Sequence, residues 1–241
     1  MKLIRARVTN YRSVEDSGDI SLDQMVCLVG KNEAGKTAIL QGIAGLNPHP
    51  STPITFDKET DYPRRYLTEY AQRHGRDEAV VVTTEWELED DEREAIVAEV
   101  GEEGLSAGTV TLRRSYGDSA PHWQFPINYQ KACDFLVEAE RLTQQDKKPL
   151  GAYSTSDELR STLEKLTERT PRQQSLLDRI AKLPGKNITG LVKSKLAPGL
   201  PQFMYFSHYD RMAGQLRIDD LNHRKAQGSP LDTGETVFLI S

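Results

Sequence analysis

The chain has 241 residues, a net charge of −5 and a charged fraction of 28%, so it is long enough for one large domain, or one and a half small ones, with a sizeable core. No apolar run approaches the ~20 residues of a membrane-spanning helix, and the N-terminus lacks the apolar centre of a signal peptide; a cytoplasmic location is the expectation. Two cysteines, Cys27 and Cys133, with no Cys or His at ligand spacing exclude a zinc site and a disulfide framework.

In chain order, residues 2–10 read as a strand with Ile4, Ala6 and Val8 on one face. Asn10-Tyr11-Arg12-Ser13-Val14 turns the chain, and Ile20 and Leu22 lie in a second short strand. Met25-Val26-Cys27-Leu28-Val29 follows, five apolar residues that read as a buried strand with Cys27 a small interior hydrophobe. Next comes Gly30-Lys31-Asn32-Glu33-Ala34-Gly35-Lys36-Thr37, which fits G-x-x-x-x-G-K-[ST]. A helix over 36–46 has Ile39, Ile43 and Leu46 at i, i+4, i+7 and stops at Asn47-Pro48.

Strand, glycine loop and helix in that order are what a phosphate-binding loop requires. Gly30 and Gly35 let the backbone curl with its N–H groups inward, so the amides from Lys31 through Ala38 surround phosphate oxygens. The helix N-terminus adds partial positive charge. Lys36 is placed to reach the β- and γ-phosphates as the catalytic cation, and the Thr37 hydroxyl to ligate Mg²⁺.

Residues 47–60 read as loop. Asp61 resembles an N-cap, with Pro63 in the first turn of a helix running to His74 and Gly75 as its stop. Residues 78–88 alternate, with Val80, Val82, Thr84, Trp86 and Leu88 on one face. Glu89-Asp90-Asp91-Glu92 opens a helix to Val100, and 109–116 and 122–127 are two further strands. Residues 85–103 hold ten acids and one base; taking these from the chain's 36 acids and 31 bases leaves 26 and 30. The run reads as a solvated helix face, and a mildly acidic total leaves room for a nucleic-acid surface elsewhere.

From Tyr129 to Leu196 the pattern is helical: one helix over 129–145, one with Leu159, Leu163 and Leu166, one with Leu176, Leu177, Ile180 and Leu183, and a fourth over 187–196. Arg172, Arg179, Lys182, Lys186, Lys193 and Lys195 make this the most basic region, read as solvated surface. Residues 201–206 form a final apolar strand leading into the polar turn Ser207-His208-Tyr209-Asp210-Arg211. Asp232-Thr233-Gly234-Glu235 has the form of a helix start before Val237-Phe238-Leu239-Ile240.

A hydrolysing P-loop ATPase needs an acid at the end of an apolar strand. Glu85 and Asp210 are the available residues, and neither sits cleanly at a strand end. An N-K-x-D motif for guanine is absent.

The order of a first strand, Asn10-Tyr11-Arg12-Ser13, a second strand and Gly30-Lys31-Asn32-Glu33-Ala34-Gly35-Lys36-Thr37 resembles the start of the ABC-type ATPase heads of the RecF, SMC and OLD families. Asp61-Tyr62-Pro63-Arg64 and Tyr205-Phe206-Ser207-His208-Tyr209-Asp210 look like bacterial AAA-family proteins of the OLD-like group. The resemblance implies an α/β P-loop NTPase head with a mixed sheet: an N-terminal lobe over 1–128, a helical insertion over 129–200, and over 201–241 a return strand with the start of a truncated C-terminal lobe. It implies ATP and Mg²⁺, a homodimer or partner lobe, and DNA repair or phage defence, with DNA reached through the complete protein. Asn32 matches the family's loop asparagine, and Arg12 the arginine near nucleotide. Two alternatives are a small-molecule kinase clamping phosphates with Arg64, Arg65, Arg113 and Arg114, and a scaffold that binds nucleotide without hydrolysis.

Overall fold

A computed structural model describes residues 1–31, 34–206 and 218–227. The chain is α/β. Among the described residues the sheet has six strands: β1 (Lys2–Tyr11), β2 (Val14–Asp16), β3 (Ile20–Ser21), β4 (Val80–Glu87), β5 (Thr109–Ser115) and β6 (His122–Gln124). The order is β2-β1-β4-β5-β6, and β3 also pairs with β1. Both β2 and β3 run antiparallel to β1, with Tyr11 opposite Val14 and Ala6 opposite Ile20. The helices are α1 (Lys36–Ala44), α2 (Lys58–Asp61), α3 (Tyr70–His74), α4 (Asp90–Val100), α5 (Tyr129–Ala139), α6 (Gln144–Lys147), α7 (Ser156–Lys165), α8 (Pro171–Lys182), α9 (Ile188–Leu196) and α10 (Ile218–Ala226).

The chain divides into two compact units. The first comprises Met1–Ile4, Glu85–Leu112 and Trp123–Leu200; the second comprises Arg5–Thr84, Arg113–His122 and the described residues from Pro201 onward. The first unit is helical and stapled at its helix starts. Thr155, Thr170 and Asn187 accept main-chain N–H groups as N-caps of α7, α8 and α9, each worth about 1 kcal/mol. Of the stripe that periodicity marks, Leu159, Leu163, Leu176 and Ile180 are buried while Leu166, Leu177 and Leu183 are half-buried, and Leu136, Leu191 and Leu196 complete the core. Three of the six residues of the basic region are paired, Arg172 with Asp146, Arg179 with Glu140 and Lys195 with Glu99. The acidic run is partly paired too, since Glu92 binds the Met1 ammonium at 2.7 Å.

The second unit is built around aromatic rings. Tyr11, Phe56, Tyr116, Tyr62 and Tyr70 meet edge to face in succession, with centroids 4.8–6.3 Å apart, a geometry that adds to the gain from burial. Tyr11 precedes Arg12 and Tyr62 follows Asp61, so the cluster anchors two neighbouring polar residues.

Several expectations are corrected. Residues 25–29 form no strand and Cys27 is exposed; Met25 and Val29 are 91% and 89% exposed. A strand is held by its neighbours, and none of the described residues hydrogen-bonds to the backbone of this run. Residues 201–206 likewise form no strand among the described residues; Phe203 makes an isolated parallel bridge with Pro48. The helix expected from Asp61 to His74 is broken: Asp57, not Asp61, caps α2, a 3-10 turn covers Arg64–Glu69, and α3 stops at Gly75. Pro63 lies between α2 and the 3-10 turn, disfavouring a helical Tyr62 before it and standing as the N-cap of that turn. The helix expected over 129–145 is two, α5 and α6. The turn at 207–211 and the segment 232–240 lie outside the described residues.

Candidate functional site: a phosphate loop beside a polar groove

The second unit carries the glycine loop. Gly35 is the N-cap of α1 in the left-handed region, φ 83° and ψ 6°, where a side chain is strained. Space forbids one as well: a Cβ there would lie 2.9 Å from Val14 Cγ2 and 3.3 Å from Ser13 Oγ. Among the described residues no side chain caps α1, and the first N–H bonded inward is that of Ile39, to the Gly35 carbonyl at 2.9 Å. The amides of Lys36, Thr37 and Ala38 are therefore the orphan donors of a helix N-terminus, at its positive end.

Lys36 opens the helix and its Nζ reaches back to donate to the carbonyls of Gly30 and Lys31, 2.7 Å each. The ammonium thus lies across the loop, on oxygens that a phosphate would displace from it. Thr37 is exposed and Ala38 is buried; Gly30, Lys31 and Ala34 are exposed. Asn32 and Glu33 lie outside the described residues.

Of the expected stripe Ile39, Ile43 and Leu46, only Leu46, just past the end of α1, is fully buried. Ala38, Gly42 and Ala44 are buried, whereas Ile39 and Ile43 are half-buried. Small residues bring the helix close to the sheet: a Cβ on Gly42 would lie 2.7 Å from Val8 Cγ1.

Beside the loop is a groove of about 620 Å³ lined by Arg12, Ser13, Thr60, Asp61, Tyr62 and Arg64. Ser13 belongs to this lining and also borders Gly35, so groove and loop adjoin. Asp61 is 7% exposed. Its Oδ1 accepts from Arg12 Nε at 2.9 Å, its Oδ2 from the Asp57 N–H at 3.1 Å, and its carbonyl from the Arg12 N–H. Arg12 Nη1 donates to Gln41 of α1. Burial pushes the Tyr11 phenol up to about 12, with Arg12 opposing and Asp61 assisting, so Tyr11 stays neutral beside the ion pair. The local pattern marks Asp61 as a helix cap and gives no role to Gln41 or Thr60; the Asp61-Tyr62-Pro63-Arg64 string is the sequence signal for this wall of the groove.

Of the arginines weighed as phosphate clamps, Arg64 lines the groove, and Arg65 pairs with Glu15 at 2.5 Å. Arg114 is buried and donates to the carbonyls of Gly45 and Asp118, holding the end of α1 rather than a ligand. Arg113 is exposed on β5.

Residues 1–100 match the family model of the AAA ATPase domain. The match takes in the loop, α1, Arg12 and the segment carrying Asp61. An AAA ATPase domain implies ATP binding, in keeping with the loop's geometry. Among curated proteins, none matched the chain.

Proposed function

We propose that residues 1–100 of this chain bind ATP with Mg²⁺ as the N-terminal part of an ATPase of the RecF, SMC and OLD-like group. The observation that carries the reading is the left-handed Gly35 feeding α1, which leaves three amides, Lys36 and Thr37 at one helix end. The triphosphate sits on those amides, with the Lys36 ammonium moving from the Gly30 and Lys31 carbonyls onto the β- and γ-phosphates. The groove, within the 300–1,000 Å³ range of small-molecule sites, receives the rest of the nucleotide, with Arg12 at its loop-side end. The exposed Thr37 hydroxyl would be the residue that holds Mg²⁺ beside the bound phosphates. Bound there, the ion neutralises phosphate charge.

Turnover belongs to the assembled enzyme, in which a homodimeric or partner lobe supplies the remaining groups and ATP controls a DNA-repair or phage-defence activity. The exposed apolar residues Met25, Val26 and Val29 support a further lobe, because a contiguous apolar patch marks an interaction surface. The burial of Arg114 weakens the kinase alternative. Titration calorimetry with ATP and Mg²⁺ tests the reading: wild type binds, and Lys36→Ala loses at least tenfold in affinity. Absence of binding by the wild type would overturn it.

A further inference from the structure

We infer that Asp61 is a positioning residue, whose carboxylate fixes the Arg12 guanidinium between the groove and the phosphate-binding helix. This rests on the loop's reading as an ATP site.

An almost fully buried carboxylate is costly unless paired. Asp61 pairs twice with the same residue, through its side chain to Arg12 Nε and through its carbonyl to the Arg12 N–H. Its second oxygen is taken by the Asp57 amide, so the carboxylate cannot rotate without losing a bond. Arg12 itself has φ +53°, as does Asn10 on the other side of Tyr11. Non-glycine residues hold that conformation only where their surroundings dictate it. Here Tyr11, 1% exposed, is locked into the aromatic cluster between them, and the Tyr116 hydroxyl donates to the Asn10 carbonyl at 2.7 Å.

With Nε on Asp61 and Nη1 on Gln41, the guanidinium plane is set at two points. Its Nη2 has no partner among the described residues. One contact is on the segment that walls the groove and the other is on the helix that starts with Lys36, so Arg12 presents its charge to a ligand spanning both. A free arginine would lose rotamer entropy on reaching a phosphate; one held this way has already lost it.

The test is a double-mutant cycle in ATP affinity, measured by calorimetry on the full chain with melting temperatures alongside. Arg12→Ala is expected to weaken ATP binding by about tenfold or more, the loss of a charge-assisted contact. Asp61→Asn retains the arginine yet is expected to lose nearly as much, and the double variant no more than Arg12→Ala alone. Effects that add, or an Asp61→Asn variant that binds like wild type, would overturn the proposal. If Asp61→Asn does not fold, Arg12→Lys substitutes: it keeps the charge but has no Nε, and is expected to bind nearly as weakly as Arg12→Ala, while wild-type affinity in Arg12→Lys would overturn it. Lys36→Ala separates the layers. If wild type and Lys36→Ala alike fail to bind, the ATP reading falls and this inference with it; if only Lys36→Ala fails, the cycle judges Asp61 alone.

Discussion

Gly42 of α1 sits directly on Val8 of β1, so close that a single added methyl group would come within 2.7 Å of Val8 Cγ1 and 3.1 Å of Cγ2. Glycine inside a helix costs about 1 kcal/mol relative to alanine, so on propensity alone Gly42→Ala should stabilise. The contact reverses the sign. Val8 is fully buried, and its branched side chain is stiff at χ1. Gly42→Ala is expected to destabilise by ~1–3 kcal/mol in urea unfolding. Because α1 carries Lys36, the same variant should also weaken ATP binding. Val8→Ala opens the needed space, so the double variant should show a favourable coupling of roughly 0.5–3 kcal/mol. A more stable Gly42→Ala would show that the helix stands off the strand.

The same contact explains what was legible in advance and what was not. Motif spacing located the loop and the start of α1, and alternation located β1, β4 and β5, because each is a local pattern. Ile39 and Ile43 made the wrong stripe for α1: periodicity counts apolar residues, while close approach selects small ones, here Ala38, Gly42 and Ala44. The run 25–29 failed for a different reason. Five apolar residues give a capacity for strand, but pairing is supplied from elsewhere in the structure. The Arg12–Asp61 pair spans forty-nine residues, and no local pattern encodes such a contact. Asp61 instead looked like a cap because Pro63 follows it.

Gly35 and Gly18 separate backbone strain from lost function. Both are left-handed, at φ +83° and +64°, but a Cβ on Gly18 meets nothing within 4 Å, whereas one on Gly35 strikes Val14 and Ser13. Gly18→Ala should cost only the conformational term, about 1–2 kcal/mol, and leave ATP affinity unchanged. Gly35→Ala should cost more and remove binding, since it must move either the loop or the residue between loop and groove. Calorimetry on both variants checks this; equal affinities would mean that Gly35 does not shape the site.

The two cysteines report on the run before the loop. Cys27 is exposed while Cys133 is buried in α5, and burial pushes the Cys133 thiol up to about 12. A buried, protonated thiol is inert, because the thiolate is the reacting form. One thiol per chain should react with maleimide under native conditions and a second only in denaturant. Mass spectrometry should place the first adduct on Cys27. Two protected thiols in the native chain would mean that 25–29 is covered in solution.

His74 gives the second unit a pH dependence. Its Nε2 lies 2.9 Å from the Tyr62 hydroxyl, and its ring packs against Tyr62 and Tyr70. Burial, and then the nearby Arg73 charge, hold its pKa below the ordinary value, with Glu78 opposing. The unfolded chain therefore takes up this proton first as pH falls. The neutral ring's contribution is fully present above the unfolded value of ~6.5 and is lost as pH falls through the lower folded value. Urea unfolding from pH 8 to pH 5 should show declining stability below about 6.5. His74→Gln keeps a hydrogen-bonding group but cannot be protonated, so its curve should be flatter in that window. Since Tyr62 lines the groove, ATP affinity should weaken over the same interval in the wild type and less so in the variant. Parallel pH curves for the two proteins would assign the decline to other groups.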